Sequence, residues 1–546
     1  MANPLAQSGY GTFQENWKSD LLSGFLVFLI ALPLCLGIAK ASGCPPIAGI
    51  ITAIVGGILS SHLGSAPLTI KGPATGLIAI VLGAVTELTP EGGDTAVGYK
   101  RMLAVGVVSA LIQIVFAFVK AGKLADFFPS SVIHGMLAAI GVIIFSKQLY
   151  AVVGVVPTVK EPLELIAGMP EAIKHLNPPV ALIGALALVI LFGWLYIPAT
   201  AKIKKLPAQM VVVLVSVPLA TYFGFSHEHT IHFSGHDYTV APSLLVKLPG
   251  QLLDAIVFPD FSAITSGASI KYIVMFCLIG SIESVASAKA VDALDPMRRR
   301  ADMNKDLLAQ GVGNLVSASL GGLPMISEIV RSSANIANGA RSQWSNFFHG
   351  AFLLLAVALI PGLLQMIPLA ALGGMLVYTG LRLASPKEFA HTLEIGREQL
   401  MIFVTTMVVT LATDLLVGVF AGIALKFFVH MTRGVPIAHF FTTTETQEVE
   451  GDTTTFRFES ALIFSNYLNL KGKIQRTTTQ RVVLDMSQTT LVDHTTMERL
   501  HDLQEELASQ GRALVLAGLD KHEAVSGHKL AARRLSAAPA PGGSAA

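Results

Sequence analysis

Up to about residue 433 the chain alternates long apolar runs with short polar joints. Runs near 21–42, 45–62, 72–88, 101–120, 129–154, 178–197 and 206–224 form a first set. A polar, His-rich stretch follows. A second set falls near 270–291, 305–319, 326–339, 345–363, 366–383, 398–414 and 415–432. A spanning helix needs about 20 apolar residues and a half-helix fewer, so each run predicts one membrane segment. The result is two groups of seven. An odd number of segments per group inverts the second group relative to the first.

The third segment of each group is interrupted. Leu68-Thr69-Ile70-Lys71-Gly72-Pro73-Ala74-Thr75-Gly76 precedes a short apolar helix in the first group, and Gly321-Gly322-Leu323-Pro324 does so in the second. Gly-Gly and Pro break a helix rather than continue it. Broken helices at membrane depth survive only where protein or a watery cavity satisfies the freed backbone. Matching interruptions in two halves point to a transporter site between inverted repeats. A half-helix starting there aims its N-terminal N–H groups, the positive dipole end, into the gap, which suits an anion.

After Arg433 the character changes. Thr453 to Ser465 alternates as strands do, and Arg481 to Met486 has a buried-strand pattern. Thr496 to Ser509 is amphipathic, and Ala513 to Gly518 is another strand. Strands alternating with helices predict a small α/β domain. The expected organisation is a cytoplasmic N-terminus (1–20), a membrane domain (21–433), an α/β domain (440–528) and a disordered tail (529–546) rich in Ala, Pro, Gly and Ser.

Composition sharpens the class. Apolar residues make up 52% of the chain and charged residues 14%, with a mean hydropathy of +0.62. A soluble chain carries about 25% charge, so this is a polytopic membrane protein. The 49 glycines suit close helix packing in lipid. Cys35, Cys44 and Cys277 lie in or beside apolar runs, in neither a disulfide nor a metal spacing. The polar start shows no small-residue cleavage pattern, so no cleavable signal peptide is expected. Nothing suggests nucleic-acid binding, a cofactor loop or a nucleophile–base pair, so an enzyme is not expected.

Basic residues set orientation. With the N-terminus in the cytoplasm, Lys120, Lys123, Lys202, Lys204, Lys205, Arg298, Arg299, Arg300, Arg382, Lys387 and Arg397 fall inside. The loop with Glu87, Glu91 and Asp94 and the 225–268 loop fall outside. Lys100, Arg101, Lys160 and Lys174 are exceptions. Both termini are then cytoplasmic.

A few polar residues within the apolar runs are candidates for chemistry. Glu283 sits between Ile282 and Ser284. It reads either as a structural carboxylate bonded to nearby backbone or as part of the site; a buried charge needs a partner, and Lys71, Lys289, a cation or a proton would serve. Glu328 opens a half-helix, where an acid is a favourable cap, yet in an anion site it repels the ligand unless paired or protonated. Arg331, three residues on, offers an ion pair as the simple structural alternative. Ser327 and Thr75 offer hydroxyls, and Ala74 and Gly76 offer backbone N–H groups, although small residues also serve helix packing. Lys71 is a counter-ion to Glu283 or snorkels to the membrane edge. His227, His229, His232 and His236 have a soft metal-like spacing in a polar loop, weak as a site. Arg298 to Arg300 reads as a topology anchor.

In order along the chain, Gly72-Pro73-Ala74-Thr75-Gly76, Gly280-Ser281-Ile282-Glu283-Ser284, Ala309-Gln310-Gly311-Val312-Gly313-Asn314 and Gly321 to Asn335 resemble the SulP family of anion transporters. Val483-Leu484-Asp485-Met486 with Val492-Asp493-His494-Thr495-Thr496 resembles its C-terminal STAS domain. The resemblance implies a uracil-permease-like fold of fourteen segments in two inverted seven-helix repeats. Segments 1–4 and 8–11 would form a core and segments 5–7 and 12–14 a gate, with elevator-type movement between them. It implies an anion site of Ala74, Thr75, Gly76, Ser284, Ser287, Ser327, Ile329 and Arg331; because acids beside an anion need a positive partner, Glu283 and Glu328 are the candidate Na⁺ or H⁺ coupling site. It also implies a homodimer in the plasma membrane, and a cytoplasmic partner for the STAS domain at Asp493, His494 and Thr495 in place of phosphorylation. The chain departs from the common family pattern at Lys71, at Ser327-Glu328 and at Asp493-His494. Bicarbonate leads as substrate, ahead of sulfate and a dicarboxylate. An anion channel, or a membrane sensor with STAS as output, is the alternative.

Overall fold

The computed structural model describes residues 13–63, 66–120, 127–159, 161–194, 207–233, 236–250, 252–297, 299–413 and 415–536. Lys123, Lys160, Lys202, Lys204, Lys205, Arg298 and the expected helix end at 195–197 lie outside them. Contacts divide the chain into two units, Met1–Gly122 with Ile140–Leu383, and Lys123–Ala139 with Ala384–Ala546.

The helices are α1 (Phe13–Ala41), α2 (Pro46–His62), α3 (Ile78–Leu88), α4 (Thr95–Phe118), α5 (Ser130–Val153), α6 (Pro162–Lys174), α7 (Pro178–Gly193) and α8 (Ala208–Tyr222). The second set is α9 (Gly267–Leu294), α10 (Met303–Ser319), α11 (Ile329–Ala337), α12 (Trp344–Leu359), α13 (Pro361–Leu364), α14 (Leu369–Leu383), α15 (Pro386–Ile395), α16 (Arg397–Ala412) and α17 (Leu415–Thr432). Fourteen of these answer to the apolar runs. The additions are α6, α13 and α15, short helices that the hydropathy pattern does not announce. Five described helices, within α1, α4, α5, α9 and α17, are long and apolar enough to cross a membrane.

Packing in the first unit carries the inverted repeat. Numbering the fourteen segments in order, α4 packs on α10 as α12 packs on α2, α1 on α12 as α9 on α4, and α3 on α9 as α11 on α1. Each pair maps onto its counterpart when seven is added to or subtracted from both members. The helices α2 and α12 approach closely at Gly57 and Gly350, where a Cβ on Gly57 would meet Gly350 Cα at 2.6 Å. Only glycine lets α2 and α12 meet so closely.

Two strands lie inside the membrane domain, β1 (Lys71–Pro73) and β4 (Met325–Ser327). The His-rich stretch folds as a hairpin of β2 (His229–Phe233) and β3 (His236–Val240), where His232 Nδ1 pairs with Asp237 Oδ1. Arg299 forms an ion pair with Asp295 at 2.7 Å and donates to the Arg341 carbonyl at 2.8 Å.

The second unit contains the α/β domain. Its sheet runs β5 (Glu445–Glu450), β6 (Thr453–Phe458), β7 (Arg481–Asp485), β9 (Ala513–Ala517), antiparallel at the first step and parallel thereafter. Helices α18 (Tyr467–Arg476) and α19 (His494–Ser509) supply Leu470, Ile474, Leu500 and Leu503 to its core. A smaller sheet joins β8 (Leu491–Val492), β11 (Arg533–Leu535) and β10 (His522–Ala524). The expected disordered tail is therefore corrected at its start: a short strand, Arg533–Leu535, lies within it and pairs on both sides. Residues 537–546 lie outside the described residues.

Candidate functional site

Both interrupted segments enter the protein as extended chain and then turn into helix. Gly72 and Pro73 hold β1 open, a single 3₁₀ turn (Thr75–Leu77) follows, and α3 continues from Ile78. Pro324 leads into β4, and α11 starts at Ile329 with Glu328 at its N-cap position. The two strands pair antiparallel, Lys71 opposite Ser327 and Pro73 opposite Met325. Crossing strands thus set two half-helix N-termini against one another. The expected starts at 72 and 326 are too early, because proline and the strand pairing keep those residues extended.

Glu328 lies in the gap, 7% exposed. Its carboxylate makes no cap bond on its own helix. Instead Oε1 accepts the Thr75 N–H of the opposite half-helix at 3.1 Å, while its own N–H donates to the Ile70 carbonyl at 2.9 Å. The carboxylate of Glu283, from the middle of α9, lies against Gly76, where any Cβ would overlap it. Both acids therefore converge on residues 75 and 76. Glu283 Oε2 is buried without a hydrogen-bond partner.

Free donors remain around this pair. First-turn N–H groups of a helix have no intrahelical partner, which leaves those of Ile329, Val330 and Arg331. Ile329 is 39% exposed, so this face of the gap is open. Ala74 does not contribute as expected: its N–H is spent on the Pro324 carbonyl at 3.2 Å. Ser327 is fully buried. Its N–H donates to Ser284 Oγ at 3.0 Å, and its hydroxyl accepts from Lys71 Nζ at 2.8 Å and from Ser284 Oγ at 3.3 Å. Ser287 lies one turn beyond Glu283 on α9 and makes no hydrogen bond among the described residues. Arg331 does not bond Glu328. Its guanidinium reaches Cys35 Sγ at 3.4 Å and lies against Gly72, with Nε and Nη2 unpartnered.

Lys71 takes neither expected role. Its ammonium is fully buried and forms an ion pair with Asp306 at 2.8 Å. Asp306 is absent from the expected site. It sits in the first turn of α10, just after the N-cap Asp302, where an acid reads as an ordinary solvated helix start. Amide side chains not assigned a role brace β4: Asn314 accepts the Met325 N–H at 2.6 Å, and Gln310 donates to the Met325 carbonyl at 3.1 Å. Their place in the Ala309–Asn314 stretch that carries the family resemblance was the available signal.

Two opposed half-helices around a polar centre, inside an inverted repeat of membrane helices, define the architecture of a membrane transporter. The chain belongs to the sulfate permease family, whose sequence model matches residues 17–406, and a STAS domain follows at residues 443–525. Among its relatives is YvdB of Bacillus subtilis, 28% identical over 425 residues, covering 77% of this chain and 74% of the relative. The bicarbonate transporter BicA of a Picosynechococcus species is 24% identical over 411 residues, covering 75% and 69%. The fold matches the solved transmembrane domain of a cyanobacterial BicA, with a TM-score of 0.61 at 24% identity over 76% of this chain and 98% of that one. It also matches SLC26A9, with a TM-score of 0.67 at 16% identity over 93% and 85%. This is a family of anion transporters, not of enzymes.

In the second unit a buried charge cluster joins the last membrane helix to the STAS domain. Asp493 caps α19 through the Thr496 N–H at 2.7 Å. Its other oxygen meets Lys426 Nζ of α17 at 3.1 Å, the Phe464 N–H at 3.2 Å and His430 Nε2 at 3.4 Å. Lys426 also donates to Thr495 Oγ1 at 2.7 Å. Burial pushes the Asp493 carboxyl up, but the Lys426 charge, His430 and Thr496 outweigh it and hold the carboxyl well below the usual range.

Proposed function

We propose that this chain is a secondary active transporter of a small oxyanion, bicarbonate or sulfate, bound between the N-termini of the α3 and α11 half-helices. The observation that carries this reading is the Glu328 carboxylate on the Thr75 N–H. A tethered oxyanion already occupies a half-helix donor, and a free one is bound by the same physics. Gly76 and the first turn of α11 supply the remaining N–H groups, and Arg331, on that same turn, a cationic charge. Two acids at an anion site are tolerable only with a positive partner, so Glu283 and Glu328 together hold the coupling ion, Na⁺ or H⁺. Substrate and ion then neutralise each other, which favours moving them together. Sulfate is named for the family and bicarbonate for the relative BicA. Elevator movement of segments 1–4 and 8–11, cytoplasmic termini, a plasma-membrane location and assembly as a homodimer belong to the same proposal.

The test is uptake of labelled bicarbonate, sulfate and fumarate into liposomes carrying the full chain, with and without imposed Na⁺ and pH gradients. Saturable uptake of bicarbonate or sulfate that rises with one gradient is expected. Flux that neither saturates nor responds to a cation gradient contradicts a coupled carrier and identifies a channel.

A further inference from the structure

Behind the two half-helices lies a buried charge pair that the transport reading leaves unused. Lys71 and Asp306 are both 0% exposed and meet at 2.8 Å. Lys71 Nζ also donates to Ser327 Oγ at 2.8 Å, and Ser327 Oγ lies 3.4 Å from Asp306 Oδ2. Asp306 Oδ1 further accepts the Ala66 N–H at 3.1 Å. The three side chains come from β1 of the first repeat, β4 of the second and the first turn of α10.

The direction of this network follows from the chemistry of its members. An ammonium only donates and a carboxylate only accepts. Ser327 Oγ therefore accepts from Lys71 and, at 3.3 Å, from Ser284 Oγ, and donates its own hydrogen to Asp306. Its hydroxyl is fully committed and pinned in place. From Ser327 the constraint runs two ways. Along the chain it reaches Glu328 and Ile329, the cap and first residue of α11. Through its N–H it reaches Ser284 Oγ at 3.0 Å, the neighbour of Glu283 on α9. The strands alone are three residues long, too short to hold a register by backbone pairing.

We infer that Lys71 is a positioning residue for the anion site: anchored on Asp306, it fixes Ser327 and thereby sets the start of α11 and the Glu283 turn of α9 against the α3 half-helix. This rests on the proposed anion site. Lys71 does not touch the anion; it acts through Ser327. Lys71 thus gives this chain a charged strut between its two repeats.

A buried pair loses stability when one partner is removed and little when both are replaced by apolar residues. The informative variants are therefore Lys71→Met/Asp306→Leu, which removes both charges, and Ser327→Ala, which keeps the pair and cuts only the link. Sulfate and bicarbonate binding to the purified full chain is measured by calorimetry, beside the melting temperature. Each variant is expected to melt near the wild type yet bind its anion about tenfold more weakly, the cost of one charged hydrogen bond. The triple variant is expected to lose no more than either, because both changes break one connection. Wild-type affinity in Ser327→Ala overturns the inference. So do additive losses in the triple variant, which would mean that Ser327 acts on the anion itself. Should the double variant not fold, Asp306→Asn replaces it: weaker binding supports the strut, and unchanged binding overturns it. If the wild type binds neither anion, both this inference and the transport reading fall. Binding without uptake refutes only the transport reading.

Discussion

Glu328 opens one half-helix and caps the other, so its charge, not its shape, is the quantity to test. Glu328→Gln keeps an oxygen for the Thr75 N–H while removing the negative charge. Uptake by this variant should lose its dependence on the driving gradient, and anion affinity should hold or tighten. Weaker binding with intact coupling would leave Glu328 as structure. Gly76→Ala is the complementary change, since the added Cβ overlaps the Glu283 carboxylate. It should abolish coupled uptake without loss of folded protein on size exclusion; wild-type coupling would separate Glu283 from the mechanism. Both acids were legible in the sequence, because a carboxylate in an apolar run is expensive. The partner of Lys71 was not. Asp306 lies 235 positions away, in a helix start that looks solvated until the fold buries it.

At the scale of elements, hydropathy located fourteen segments, because burial in lipid writes itself over about 20 residues. It missed α6, α13 and α15, which are short and leave no such signature. It also started the third and tenth helices at 72 and 326, inside β1 and β4, because hydropathy does not distinguish a short extended run from a helical turn. The link between α17 and the STAS domain was invisible for a similar reason: Lys426 near a helix end resembles a snorkelling residue. In the structure it is buried on Asp493. Lys426→Met removes that carboxylate's lysine partner and leaves it to His430 and two backbone N–H groups; it should cost about 3 kcal/mol near neutral pH, read by thermal melting. The Asp493 carboxyl lies below its usual range, so the stability it lends is present above the ordinary value of about 3.9 and is lost as pH falls through the lower folded value. The difference between Lys426→Met and wild type should therefore shrink on acidification. A constant difference would show that Asp493 does not carry it.

For the whole molecule, the two units divide the labour. The proposed anion site draws its residues from the first unit, and the STAS domain lies in the second. Deleting residues 440–546 removes Asp493 and strands Lys426, so yield and transport rate should drop while the order of anion preference stays the same. A changed order would mean that the STAS domain reaches the site. The central claim is that an anion occupies the gap between the half-helices. Ile329, at the first position of α11 and 39% exposed, is the place to watch it. Cys35, Cys44 and Cys277 are buried, so in Ile329→Cys vesicles a membrane-impermeant thiol reagent reports on position 329. Labelling should slow progressively as the transported anion is added, with half-protection near its KM. Labelling at the same rate with and without saturating anion would contradict the site.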